Sequence, residues 1–233
     1  MTATVGGHLP VRGHRDGRSL RPGQGRGPSL AQVAADKGVR DRRVLRAMRQ
    51  VARAGFVPPQ HARLADVDLP VPIGHDQVTT QPSLVAAMLE CLQLRGDETV
   101  LEVGTGYGYQ TALLARLARR VVSVELWPDL ALAARANLAA AGVTDVEVLA
   151  GDGADGVPGR APFDAVVVCA AFPDVPPPLV EQLAEGGRLV QPIGPGGAEE
   201  VVLFVKGGGV LRRERLVTYA RFVPLVGRHG IRR

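Results

Sequence analysis

The residues of this chain whose types and spacing could do chemistry start at Glu102, where the apolar run Val100-Leu101 meets an acid followed by Gly104, Gly106 and Gly108. Glycine lets a backbone turn sharply after a strand and approach a ligand with no Cβ in the way. Three in alternation therefore imply a small molecule lying against the main chain. The spacing is E-x-G-x-G-x-G, unlike the G-x-G-x-x-G of a pyrophosphate-binding turn, and a carboxylate just ahead of the glycines would repel a pyrophosphate. A zwitterionic ligand with an amino group suits the turn better. Val121-Val122-Ser123-Val124 then closes on Glu125, about 20 residues after the glycines, where a doubly wound fold places the carboxylate that holds ribose hydroxyls.

The stretch from Val100 to Gly108 resembles motif I of the class I S-adenosylmethionine-dependent methyltransferases. The resemblance implies S-adenosyl-L-methionine as cofactor, with Glu102, Gly104, Thr105, Gly106 and Gly108 around it and Glu125 on its ribose. It also assigns Asp152, with Gly153 beside it, to the adenine amino group, since Val146-Glu147-Val148-Leu149-Ala150 reads as a third strand ending in Gly151-Asp152-Gly153. No metal is implied.

These residues must be held by strands that converge on one edge. Phe163-Asp164-Ala165-Val166-Val167-Val168 is a fourth strand, continuously apolar as in a parallel sheet covered on both faces. A helix after Pro177 is expected to run through Leu183 and stop at Gly186-Gly187, with Arg188 to Ile193 as a fifth strand. Glu199 to Val205 and Val217 to Val223 are expected to pair after the Gly207-Gly208-Gly209 turn. The fold class is α/β: a doubly wound, Rossmann-like, mostly parallel sheet with helices on both faces and late antiparallel strands.

A chain of 233 residues with 45% hydrophobic content suits one such domain, expected over residues 29–233. The net charge of +5 divides unevenly: residues 1–50 hold 11 Lys or Arg against 3 Asp or Glu, and the remaining 183 hold 17 against 20. Residues 1–28 scatter glycine and proline among arginines and bury too little to offset the entropy of ordering, so a disordered basic arm is expected. It reads as a solubilising tail, a misassigned start or a contact for RNA or an acidic partner; no specific nucleic acid is expected. The sequence has no secretory signal and no membrane-length apolar run, which points to the cytoplasm and to no membrane partner. Cys91 and Cys169 make no metal pair; Cys91 reads as core, and Cys169 at most as a residue lining the site.

Asp41 reads as the N-cap of a helix carrying Val44, Leu45, Met48 and Val51 on its buried face, stopped by Gly55 and Pro58-Pro59. Leu69 to Pro82 is rich in residues that forbid helix and reads as a functional loop. Pro82 opens the next helix, with Thr80 or Gln81 near its N-cap. Thr79 and Thr80 can thus present hydroxyls to an anion gathered there, or Thr80 simply caps the helix.

Arg53 to Pro58, Pro72 to Gln77 running on to Thr80-Gln81-Pro82, and Arg221 to Gly227 are similar to the signature segments of the protein-L-isoaspartate O-methyltransferases, and with the cofactor motifs the resemblance spans Val39 to Gly227. It implies methyl transfer from S-adenosylmethionine to the α-carboxylate of isoaspartyl residues in damaged peptides and proteins, whose esters collapse to a succinimide. It places Thr80 at the position of the family's active-site serine, and Ile73, His75, Gln77, Thr79, Gln81, Val223 and Pro224 along the substrate.

Three positions depart from the family pattern: Thr80 adds a methyl to the serine, Val78 lacks a hydroxyl, and Asp76 replaces a glycine and brings negative charge near an anionic substrate. His75 has two readings, as an orienter of the substrate carboxylate or as a packed loop histidine. The Arg221–Gly227 segment, expected as a late antiparallel strand and turn, either pairs with a bound peptide or completes the sheet. Cys169-Ala170-Ala171-Phe172-Pro173 lacks the Pro-Pro-Tyr element of enzymes that methylate amino nitrogens. Two other functions stay open: esterification of a normal aspartate in a ribosomally made precursor peptide, and a cofactor-binding module without turnover.

Overall fold

The structure, a computed structural model, describes residues 27–195 and 197–231. Residues 1–26 of the expected basic arm lie outside it. Ser29 caps α1 (Leu30–Asp36) through the Gln32 amide, and Asp41 caps α2 (Arg42–Gln50) through the Arg43 and Val44 amides, as its sequence position predicts. Two 3₁₀ turns follow, Arg53–Phe56 and Pro59–Leu64. So the chain beyond α2 tightens around Gly55 and the prolines rather than running as open loop.

The expected loop before the glycine turn is a hairpin, β1 (Val71–Gly74) and β2 (Gln77–Thr79), paired Val71 to Thr79 and Gly74 to Gln77. His75 and Asp76 form its two-residue turn at φ +51° and +57°, the double left-handed geometry that twists a hairpin correctly. Prolines mislead here because the two-stranded ribbon consists of edges, where a missing N–H is tolerated. Helix α3 (Pro82–Leu92) starts on Pro82 with Gln81, not Thr80, at the N-cap position.

The main sheet then builds as β3 (Thr99–Val103), α4 (Tyr109–Leu114), β4 (Arg120–Glu125), α5 (Pro128–Ala140), β5 (Val146–Ala150), β6 (Phe163–Val168), α6 (Pro177–Gln182), β7 (Leu183–Ile193), β8 (Glu199–Gly207) and β9 (Val210–Ala220). Strand order is β5-β4-β3-β6-β7-β8-β9, parallel through β7 and antiparallel from β7 to β9. The winding reverses between β3 and β6, which is where open α/β sheets bind ligands.

Period-two alternation splits the core. Val100, Val121, Ala165, Val167 and Val190 pack against residues of α1 to α5, while Leu101, Val122, Val166, Val168 and Leu189 pack against Leu179 of α6 and Ala154. Cys91 is buried in the first of these layers, as expected.

Three boundaries differ from expectation. Helix α6 stops at Gln182 and strand β7 starts at Leu183 rather than Arg188, since Gly186-Gly187 falls in a register shift inside the pairing of β6 with β7 and not at a helix end. Strand β9 begins at Val210, directly after Gly208 and Gly209 at φ +62° and +75°; these two glycines suffice for the turn, so pairing restarts at once. Residues 221–227 therefore leave the sheet. They run extended and parallel to Ala171, which donates its N–H to the Val223 carbonyl at 2.8 Å and accepts from Leu225 N–H at 2.8 Å.

Candidate active site

The carboxyl ends of β3, β4, β5 and β6 open on one crevice. Its wall includes Ile73, Gln77, Thr79, Thr80, Gly104, Thr105, Gly106, Glu125, Gly153, Val223 and Pro224, all expected from sequence; His75, Gln81, Glu102, Gly108 and Asp152 do not line it.

Gly104, Gly106 and Gly108 hold φ of +95°, +56° and +92°. A Cβ on Gly104 would stand 3.2 Å from Cys169 Cβ, and one on Gly106 would stand 3.2 Å from Ile73 Cδ1. The turn thus needs glycine both for its backbone region and for room. Gly153 needs it for room alone, since a Cβ there would collide with Val103 Cγ1.

Glu102 is fully buried, and its carboxylate accepts from Thr111 Oγ1 at 2.5 Å, Ser123 Oγ at 2.6 Å and Gln110 Nε2 at 3.0 Å. Burial nevertheless pushes its carboxyl up to about 7. Its acceptor sites are turned into the protein, so Glu102 braces the turn. The crevice wall carries Gln110 instead, whose Oε1 is buried with no protein partner among the described residues. An ammonium fits that lone acceptor, which is how the zwitterion reading survives with a different residue.

Glu125 lines the crevice, and its two oxygens accept from Gly106 N–H at 2.8 Å and Trp127 N–H at 3.1 Å. Each carboxylate oxygen keeps a further lone pair for a hydroxyl. Asp152 caps the 3₁₀ turn Gly153–Asp155 through Ala154 N–H, while its other oxygen accepts from Arg228 N–H at 2.6 Å. The carboxyl-terminal segment therefore packs over the place expected to meet adenine.

On the opposite wall Thr80 makes no hydrogen bond within the described residues, leaving its hydroxyl available to a substrate. Thr79 is committed: its Oγ1 accepts from Arg53 Nη2 at 2.9 Å and Val71 N–H at 3.1 Å. Arg53 is buried and also donates to the carbonyls of Leu64, Ala65, Val67 and Leu69, so one guanidinium ties the turn before the hairpin to the hairpin itself. Gln81 donates to Asp68 at 2.8 Å, and Asp68 accepts from the Ser83 amide at the start of α3. His75 faces α5, where Nε2 meets Asp129 at 2.8 Å and the ring stacks on Trp127.

Cys169 lines the crevice, but burial raises its thiol far above the ordinary range, so it stays protonated and is no nucleophile. Tyr109, whose hydroxyl burial pushes up to about 12, lines the same wall. Among the described residues no cluster of three or more His, Cys, Asp or Glu side chains could hold a metal. Sequence reasoning missed Gln110, Tyr109, Trp127 and the anchoring Arg53. A signal existed for Trp127, the single tryptophan, standing two residues after Glu125.

The sequence family described as protein-L-isoaspartate (D-aspartate) O-methyltransferase matches residues 28–230. The chain belongs to that family. The protein-L-isoaspartate O-methyltransferase of Methanoculleus marisnigri is 52% identical over 83% of this chain and 88% of its own length, and that of Myxococcus xanthus is 48% identical over 84% and 94%. A solved protein-L-isoaspartate O-methyltransferase superposes with a TM-score of 0.73 at 29% identity, over 83% of this chain and 64% of that one. A Plasmodium falciparum protein described as a beta-aspartate methyltransferase, solved with S-adenosyl-L-homocysteine, shares the fold at a TM-score of 0.72 and 22% identity over 84% of this chain and 96% of its own.

As a protein-L-isoaspartate O-methyltransferase family member, the chain absorbs its departures locally. Asp76 takes a left-handed turn position that aspartate tolerates. Val78 is exposed on the hairpin, and Thr80 keeps its hydroxyl at the crevice. Among the described residues no helix is long and apolar enough to cross a membrane.

Proposed function

We propose that this protein esterifies the α-carboxylate of L-isoaspartyl residues in peptides and proteins, and that S-adenosyl-L-methionine is the methyl donor. The observation that carries this reading is one crevice with two unlike walls. One is a glycine cradle with Glu125 and Gln110; the other is a hairpin ending in Thr80. The cradle fits the cofactor: Glu125 has lone pairs for ribose hydroxyls, and Gln110 Oε1 suits an amino group. When bound, the cofactor supplies an electrophilic methyl on a sulfonium.

The chain's own work is positioning. A peptide carboxylate is ionised at neutral pH and needs no general base: its oxygen forms the bond to the methyl carbon while the carbon–sulfur pair returns to sulfur. We assign Thr80 to donate one hydrogen bond to that carboxylate and fix the attacking lone pair. Holding the reactants in line contributes up to about 7 to 11 kcal/mol in such reactions. Ile73, Val85 and Trp127 give the crevice apolar sides that exclude water, which would otherwise solvate the nucleophile. The cysteines are unpaired, and on that ground we place the reaction in the reducing cytoplasm.

A Thr80 series tests the assignment. Thr80→Ser should retain turnover of an isoaspartyl peptide, and Thr80→Val should lower kcat about tenfold or more while leaving S-adenosyl-L-homocysteine affinity in place. Equal turnover by the valine variant would remove Thr80 from the mechanism.

A further inference from the structure

The β1–β2 hairpin lines the crevice through Ile73 and Gln77, and its tip is clasped to the start of α5. His75, at the turn, stacks its imidazole on the Trp127 indole with centroids 4.0 Å apart and planes 11° from parallel. The same ring's Nε2 lies 2.8 Å and 3.0 Å from the two carboxylate oxygens of Asp129, one residue into α5 beyond Pro128. Gln77 Nε2 donates to the His75 carbonyl at 2.9 Å and stiffens the turn. At the other end of the hairpin Arg53 holds Thr79. Between these two anchors Ile73 packs against Gly106, so closely that a Cβ there would stand 3.2 Å from its Cδ1.

Trp127 is a wall of the crevice, and its backbone N–H donates to Glu125, the residue assigned to the ribose. Nothing in this arrangement turns His75 toward Thr80 or the peptide side, and His75 itself does not line the crevice. Its contacts run from the substrate-bearing hairpin to the cofactor-bearing strand end.

We infer that His75 is a positioning residue for the cofactor: stacked on Trp127 and bonded to Asp129, it clasps the hairpin over the ribose side of the crevice, so that the spent nucleoside leaves only when the clasp opens. The inference rests on the cofactor reading above. Of the two sequence readings of His75 the contacts bear out the packed loop histidine, and the inference gives that packing a role.

The single tryptophan makes the clasp observable without turnover. In stopped-flow fluorescence of the full chain with S-adenosyl-L-homocysteine, His75→Ala should release the ligand about tenfold faster than wild type, the scale of one aromatic stack plus one hydrogen bond. It should also change Trp127 emission before any ligand is added. Asp129→Asn, an exposed change that keeps the stack, should give a smaller acceleration, and His75→Phe should recover part of the retention. In steady state His75→Ala should raise KM for S-adenosylmethionine more than KM for an isoaspartyl peptide. Wild-type release rates in His75→Ala, or a rise confined to the peptide KM, would overturn the clasp. Ligand release that follows this pattern in a chain that transfers no methyl would instead refute the proposed reaction and leave the clasp standing.

Discussion

The two walls of the crevice are built by opposite means. The cofactor wall is made of backbone: parallel strand ends, glycines at positive φ, and acids such as Glu102 and Glu125 whose oxygens accept from neighbours on β4 and α4 or from main-chain amides. The substrate wall is a short hairpin with little core of its own, held in place by side chains that reach across the chain, Arg53 at one end and His75 at the other. A wall of backbone tolerates few substitutions but needs no distant partner. A wall pinned by side chains can be loosened one pin at a time: a change at Arg53 should loosen the hairpin where it carries Thr79, and a change at His75 should loosen it where it meets the cofactor side.

The largest effect expected is on the substrate wall. Arg53→Ala removes bonds to Thr79 and to four carbonyls, leaves those acceptors half-buried and empties the space of a buried side chain, which together should destabilise the fold by about 3 kcal/mol or more in urea unfolding. A loss below about 0.5 kcal/mol would mean that the hairpin is held by something else.

Glu102 sharpens the comparison from the cofactor side. Its carboxyl lies at about 7 in the fold against 4.5 for an ordinary glutamate, so the folded chain keeps a proton that the unfolded chain has released. Stability from this group is fully present below about pH 4.5 and is lost as pH rises through about 7. Relative to Glu102→Gln, which stays neutral, wild type should lose about 3 kcal/mol across that window. Parallel pH profiles for the two proteins would contradict the buried brace.

Gly104→Ala should follow, with strain of about 1 to 3 kcal/mol from a side chain at φ +95° against Cys169. The comparison requires that this appear as weaker S-adenosyl-L-homocysteine binding in calorimetry, with little change in peptide KM. The reverse pattern would break it. Close to it in size is the loss of about 1.5 to 2 kcal/mol of transition-state stabilisation in Thr80→Val, read as kcat.

The same contrast explains what the sequence discloses. Strands β3 to β6, the glycine turn and Glu125 are legible because their signatures are local: an apolar run, an acid, and residues that only a sharp turn needs. The roles of Arg53, His75 and Gln81 are not, because their partners lie 26, 54 and 13 residues away and depend on how the hairpin lands. Glu102 misleads for a related reason. An acid beside a ligand turn reads as a ligand, while the hydroxyls of Thr111 and Ser123 that claim it belong to other elements. The late strands are misjudged where glycines have two uses, as a bulge at Gly186-Gly187 and as a complete turn at Gly208-Gly209.

The most direct test of the central claim is transfer of a radiolabelled methyl from S-adenosylmethionine to a matched pair of peptides that differ only in isoaspartate against aspartate. The account predicts label on the isoaspartyl peptide alone, released as methanol by mild base. Label on the aspartyl peptide, or on neither while S-adenosyl-L-homocysteine still binds, would contradict it.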